Sequence, residues 1–158
     1  MNLRIGQGID FHRLEKGLNL WLGGILIPSE KSCVAHSDGD VLLHAICDAL
    51  LGAAGLPDIG YHFPDTNPEF KNIDSKILLE KTLILIKEKG FSVINVDSTI
   101  CLEKPKIAPY VPEMRSVISK ILETSPDNIS VKATTTEKLG FTGREEGIMA
   151  LAVALLRK

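Results

Sequence analysis

The stretch Ala35–Asp65, AHSDGDVLLHAICDALLGAAGLPDIGYHFPD, decides how this chain is read. From Asp40 to Leu51 the apolar residues Leu42, Leu43, Ile46, Ala49 and Leu50 recur at helical spacing, Gly52 supplies a stop, and Ser37 or Asp38 serves as N-cap. Asp40, His44 and Asp48, spaced by four, draw one polar line down an otherwise apolar helix, and that line must face something polar. A capping box, Ser37-x-x-Asp40, accounts for Asp40 alone. It leaves His36 and His44 unexplained.

Outward from this helix, Leu3 to His12 alternates: Leu3, Ile5, Ile9 and Phe11 point one way and Gly6, Gly8, Asp10 and His12 the other, the pattern of a half-buried strand. Leu18–Leu22 and Gly24–Ile27, split at Gly23-Gly24 and closed by Pro28, read as a hairpin or a bulged strand. After a loop from Gly55 to Asp74 the spacing predicts a helix over 75–89, a strand over 93–102 and a helix from Val111 to Leu122. Ile129–Thr134 reads as a strand. Ile148–Leu155 does too, although its alanines also suit a helix. The order predicts an α+β fold, a mixed β-sheet with helices packed on one face, in one domain over 1–158.

The 158 residues are 44% hydrophobic and 24% charged, enough to bury a core, which excludes disorder as the main state. A net charge of -2 gives no footprint for nucleic acid or an anionic membrane. Cys33, Cys47 and Cys101 form no CxxC pair, no signal-peptide pattern is visible, and Ile148–Leu156 is far too short to span a bilayer. A cytoplasmic, reducing setting is expected.

Three groups of residues point to chemistry. Asp10 and His12, two apart on a strand, share a face and can converge on one ion. With His44 they make two histidines and a carboxylate with a fourth position open, the form of a catalytic zinc site, and Asp48 or Asp40 could orient the His44 ring. Lys132-Ala133-Thr134-Thr135-Thr136-Glu137, at a strand end, is either a cradle for phosphate oxygens with a carboxylate for a hard cation, or a capping box Thr134-x-x-Glu137. The loop Asp58–Asp65, with Phe63, either covers a site or is an Ω-loop packed on Phe63 and Tyr61.

Together GQGIDFH (6–12), the stretch over 35–65 and KATTTEKLGFTGREEG (132–147) resemble the 2-C-methyl-D-erythritol 2,4-cyclodiphosphate synthase family of the non-mevalonate isoprenoid pathway, across nearly the whole chain. The resemblance implies a homotrimer with sites at subunit boundaries and a lyase that cyclises 4-diphosphocytidyl-2-C-methyl-D-erythritol 2-phosphate with loss of CMP. It implies Asp10, His12 and His44 as ligands of zinc or another divalent transition metal. Glu137 would hold magnesium or manganese, and Thr134 and Thr135 the phosphates. By the same resemblance His36, Ser37, Asp58 and Gly60 hold the methylerythritol phosphate, with Phe63 and Asp65 in the covering loop. Leu102, Lys106, Ala108 and Ala133 match the cytidine pocket, and Phe141 and Arg144 line a cavity on the threefold axis. Leu102 is bulkier than the family's usual residue at that position, and Leu151 stands where some relatives carry Glu. The residues by themselves also admit a zinc-dependent hydrolase of a nucleotide diphosphate or a non-catalytic trimeric metal-binding protein.

Overall fold

The computed structural model describes residues 2–158. Its frame is a five-stranded sheet in the order β4-β1-β7-β5-β6, formed by β4 (Lys31–Val34), β1 (Leu3–Lys16), β7 (Gly147–Arg157), β5 (Ser92–Cys101) and β6 (Ile129–Thr134). All neighbours are antiparallel except β5 and β6, which run parallel and are joined by a crossover containing α4 (Val111–Ile121). A parallel pair needs such a crossover because a tight turn cannot return the chain to the same end. The hairpin of β2 (Asn19–Leu22) and β3 (Ile25–Pro28) is a separate two-stranded sheet.

The central helix, α1 (Val41–Ala53), is buried along nearly its whole length and lies on β1 and β7, with α3 (Ser75–Glu88) packed beside it. The sheet admits it closely because the residues beneath it are small. Gly6 pairs with Ala154, Gly8 with Ala152 and Asp10 with Ala150 on this inner face. A strand face so poor in side chains lets a helix backbone approach, and the apolar area is supplied by the helix.

The apolar side of β1 accordingly faces away from α1. In the single chain Ile5 is 73% exposed and Phe11 50%, with Ile9 also open to solvent. Register places Leu155, Leu151 and Met149 opposite Ile5, Ile9 and Phe11, so the β1–β7 part of the outer face is largely apolar, interrupted by Gln7 opposite Val153.

Several local expectations change. β1 continues past His12 to Lys16, because Arg13–Lys16 pair with β4, a strand the sequence pattern did not suggest. The Ala-rich C-terminal segment is strand. The N-cap of α1 is Asp40, not Ser37 or Asp38: its carboxylate accepts the Leu43 amide at 3.0 Å. Fully buried, it also accepts the amides of Gly23 at 3.0 Å and Gly24 at 2.7 Å. Those glycines have φ of +64° and +80°, a turn that L side chains rarely adopt, so Asp40 ties the hairpin to the helix start. Asp40 is therefore a structural brace, and of the polar line through it His44 is the member that faces a site.

Candidate active site

Asp10 and His12 leave the inner face of β1 beyond the glycines, and His44 comes from the first turns of α1 lying across them. Asp10 Oδ2 is 3.2 Å from His12 Nε2 and 3.1 Å from His44 Nδ1, and the two ring nitrogens are 3.1 Å apart. Tetrahedral bonds of about 2.0 Å demand ligand separations of about 3.3 Å, so this triangle fits a zinc-sized ion with little movement. Burial opposes ionisation of Asp10, but hydrogen bonds and charge from His12 and His44 outweigh it and hold the carboxyl at about 2. At His44 burial opposes protonation and the Asp10 carboxylate overcomes it, raising the pKa. An anionic carboxylate between two imidazoles, attracting positive charge, is a donor set suited to a divalent cation.

The anticipated partner of His44 is corrected. Asp48 does not reach the ring: its Oδ1 accepts the Ile59 amide at 2.8 Å and pins the following loop to α1. His44 Nε2 instead lies 2.9 Å from Ser75 Oγ and 3.2 Å from Ser37 Oγ. Ser75 is a residue the sequence reading missed, since a serine opening a helix reads as a cap. The geometry excludes that reading, because the cap of α3 is Asp74, which accepts the Lys76 amide at 2.9 Å.

A cleft of about 380 Å³ opens beside the triad, lined by His12 and His44 together with His36, Ser37, Gly60, Phe63 and Asp65. Its far wall is apolar, with Ile59, Phe70, Ile73 and Leu78. The loop that covers it contains a short helix, α2 (Ile59–His62), begun by Asp58, whose carboxylate accepts the Tyr61 amide at 2.9 Å. Phe63 packs edge-on against Phe70 with ring centres 5.6 Å apart, whereas Tyr61 is 72% exposed and its ring meets the adjacent His62. Of the two residues expected to pack the loop, only Phe63 does.

The remaining candidates lie elsewhere. Ala133 and Thr134 end β6, and Thr135 and Glu137 follow in an exposed loop. No helix starts at Thr134, whose hydroxyl donates to the Thr135 carbonyl at 3.1 Å, so the capping-box reading of Glu137 fails. Glu137 and Lys138 hold φ of +53° and +63°, and Glu103 Oε1 accepts the Thr136 and Lys138 amides at 3.3 Å each, holding this turn. Glu103 was not anticipated as a support. Leu102 turns its bulk into the core, 6% exposed, and walls a second cleft of about 330 Å³ with Glu103, Lys104, Lys31 and Glu145. Lys106 and Ala108 are exposed beyond it. Phe141 meets Phe11 at 5.8 Å between ring centres at the end of the outer sheet face, and Arg144 pairs with Glu146 at 2.9 Å.

The YgbB family model matches residues 3–157. A 2-C-methyl-D-erythritol 2,4-cyclodiphosphate synthase of Phocaeicola vulgatus is 60% identical over 158 residues, covering 100% of this chain and 99% of that one. The bifunctional IspDF of Campylobacter jejuni superposes with a TM-score of 0.94 at 43% identity, over 98% of this chain and 42% of that longer one. IspF of Plasmodium falciparum, solved as a CDP complex, gives a TM-score of 0.86 at 37% identity over 98% of this chain and 96% of that one.

Proposed function

The chain belongs to the YgbB family, and its matched relatives are 2-C-methyl-D-erythritol 2,4-cyclodiphosphate synthases. We propose that it catalyses their cyclisation, acting as a lyase in non-mevalonate isoprenoid synthesis. The 2-phosphate oxygen of 4-diphosphocytidyl-2-C-methyl-D-erythritol 2-phosphate bonds to the β-phosphorus, the bond to the bridging oxygen breaks, and CMP leaves with that oxygen. The observation that carries this reading is the convergence of Asp10, His12 and His44 at the mouth of a cleft with one polar and one apolar wall.

Nucleophile and electrophile both begin anionic, so the task is alignment and charge neutralisation. Zinc or another divalent transition metal on Asp10, His12 and His44, with magnesium or manganese on Glu137, would supply Lewis-acid charge to the phosphates. Ser37 Oγ accepts the Gly39 amide at 3.2 Å, leaving its hydroxyl hydrogen free to donate to a phosphate oxygen in the cleft. His36 at the rim adds a second donor, and Gly60 leaves the loop backbone uncovered for approach. Phe63 with Phe70 and Ile73 shields the methylerythritol carbons and excludes the water that would divert the reaction to hydrolysis. A phosphate nucleophile ionised at neutral pH asks no general base of the protein.

We infer further that the single domain works as a homotrimer with shared sites. Thr134 on β6 lies three strands from Phe11 on β1, about 14 Å at the usual strand spacing. One chain thus separates the triad from the Thr134, Thr135 and Glu137 cradle by more than a diphosphate spans. A neighbouring copy supplying the cradle, and the cytidine pocket of Leu102, Lys106, Ala108 and Ala133, brings them together. The apolar outer face gives such copies a surface to bury. Among the described residues no helix is long and apolar enough to cross a membrane.

Incubation with the cytidyl substrate and Mg2+, followed by phosphorus NMR, tests the assignment. Cyclic diphosphate and CMP in equal amounts are expected. An open-chain monophosphate product would replace the cyclase with a hydrolase.

A further inference from the structure

The hydroxyl of Ser75 is fully buried, and its hydrogen-bond partners are Asp38 and the Nε2 ring nitrogen of His44. Asp38 accepts three hydrogen bonds: Oδ2 accepts the Ser75 amide at 2.9 Å, and Oδ1 accepts the Asp40 amide at 3.0 Å and the Ser75 hydroxyl. An ionised carboxylate has no hydrogen to give, so Ser75 Oγ must be the donor toward Asp38. What Ser75 then offers His44 is a lone pair. Only an N–H at Nε2 makes the 2.9 Å contact favourable, and with the hydrogen on Nε2 the atom available to a metal is Nδ1. Nδ1 is the atom that meets Asp10 Oδ2 and His12 Nε2.

We propose that Ser75, oriented by Asp38, is a positioning residue that fixes the ring angle of His44 and keeps its hydrogen on Nε2, so that Nδ1 stands ready as a ligand. The inference rests on the metal reading of the Asp10, His12 and His44 triad. A helix-start role does not account for the same contacts, since Asp74 already caps α3 and the Ser75 hydroxyl touches no backbone group of that helix. The frame around the pair is rigid. The Asp38 amide donates to the Ile73 carbonyl at 3.1 Å and the Asn72 amide to the His36 carbonyl at 2.7 Å, so the loop before α1 and the approach to α3 are stitched together behind the imidazole. A histidine whose distal N–H has an oriented acceptor binds metal more tightly, because ring rotation and the alternative protonation pattern are both suppressed. Ser37 Oγ, at 3.2 Å, is a longer second acceptor that cushions the loss of Ser75.

The test uses the full-length protein stripped of metal and titrated with zinc against a competing chelator, for the wild type, Ser75→Ala and Asp38→Asn. Both variants are expected to bind zinc about 10- to 100-fold more weakly. In the zinc-loaded wild type, proton NMR of 15N-histidine-labelled protein should give a downfield His44 Nε2–H signal that exchanges slowly with water, and Ser75→Ala should lose it. Wild type and both variants binding zinc equally would overturn the relay while leaving the metal site standing. So would a wild-type His44 Nε2–H in fast exchange, a measurement that needs no variant to fold. A wild type that takes up no zinc would remove the metal reading beneath it.

Discussion

A Cβ placed on Gly8 would stand 1.9 Å from the carbonyl oxygen of Ala45 and 2.7 Å from the amide nitrogen of Ala49. Both are backbone atoms of α1, so no side-chain rotation can relieve the overlap. Gly8→Ala should therefore force the helix off the sheet and cost about 3 kcal/mol or more, the upper range for overpacking a core. It should also move His44 relative to Asp10 and weaken zinc binding. Gly52, on the same helix, is the control: an added Cβ would meet only the Gln7 carbonyl oxygen at 3.8 Å. Gly52→Ala should stabilise by about 0.5–1 kcal/mol through helix propensity. Chemical denaturation of the two variants checks both signs, and an unaffected Gly8→Ala would show that the helix is not seated by this contact.

The same contact explains what could be read in the sequence. Helix α1 announced itself by its spacing, and Asp10, His12 and His44 by residue type. The alternation of β1 was equally plain, yet the apolar side proved to be the one α1 does not touch. Polarity reports which residues avoid water and is silent on what covers them. Here Gly6, Gly8, Ala150 and Ala152 serve the helix by being small, a steric signal that a hydrophobic pattern does not register. Asp40 and Asp48 misled for a related reason: helical spacing put them in line with His44, but a buried carboxylate goes to whichever backbone amides the tertiary fold leaves unpaired. Those amides, on Gly23, Gly24 and Ile59, lie in other elements. Ser75 is 31 residues from His44, and no local pattern joins them.

The outer sheet face gives a second prediction. Ile5 and Val153 are on that face, away from the core and from the triad. Ile5→Lys with Val153→Glu keeps the net charge and should leave the fold of each chain intact, while making the face too polar to bury. Sedimentation should shift from about three chain masses to one, with turnover falling by at least an order of magnitude because the cradle and the triad no longer meet. A double variant that stays trimeric and fully active would sever the outer face from the assembly.

The pH dependence of stability should change sign with metal. Metal-free, the folded-state pKa of His44 is raised, chiefly by Asp10 against the opposing effect of burial. A raised imidazole contributes stability that is complete below its unfolded value, about 6.5, and is lost as pH rises through the folded value. Asp10, held at about 2, contributes stability that is present above the ordinary carboxylate value and is lost as pH falls through about 2, so it is constant across the neutral range. The melting temperature of the metal-free protein should fall between about pH 6 and pH 8, below the ordinary thiol value. With saturating zinc the trend should reverse, since the metal competes with the proton on His44 and is helped by raising pH. Melting curves with chelator and with zinc at the two pH values distinguish these signs. A metal-free melting temperature that rises over the interval contradicts the coupling of His44 to Asp10.

Glu137 sits in an exposed turn, with φ of +53° and its carboxylate 3.5 Å from the Thr135 hydroxyl, and it caps no helix. Glu137→Gln keeps its size and its backbone preferences nearly unchanged, and the support from Glu103 to the neighbouring amides is untouched. Stability should therefore move by less than about 0.5 kcal/mol, as for other surface changes. The amide removes the charge that a hard, oxygen-seeking cation prefers, so the apparent requirement for Mg2+ should rise and turnover at low Mg2+ should fall about tenfold or more. High Mg2+ should recover part of the loss, because a weakened site still fills by mass action. Zinc content should stay at the wild-type level, since Glu137 is not among the residues assigned to the zinc, Asp10, His12 and His44. The magnesium dependence of turnover, measured beside zinc content by elemental analysis, separates the two metal roles. If the variant matched the wild type at every Mg2+ concentration, the cation on the diphosphate would have to be held by some other group.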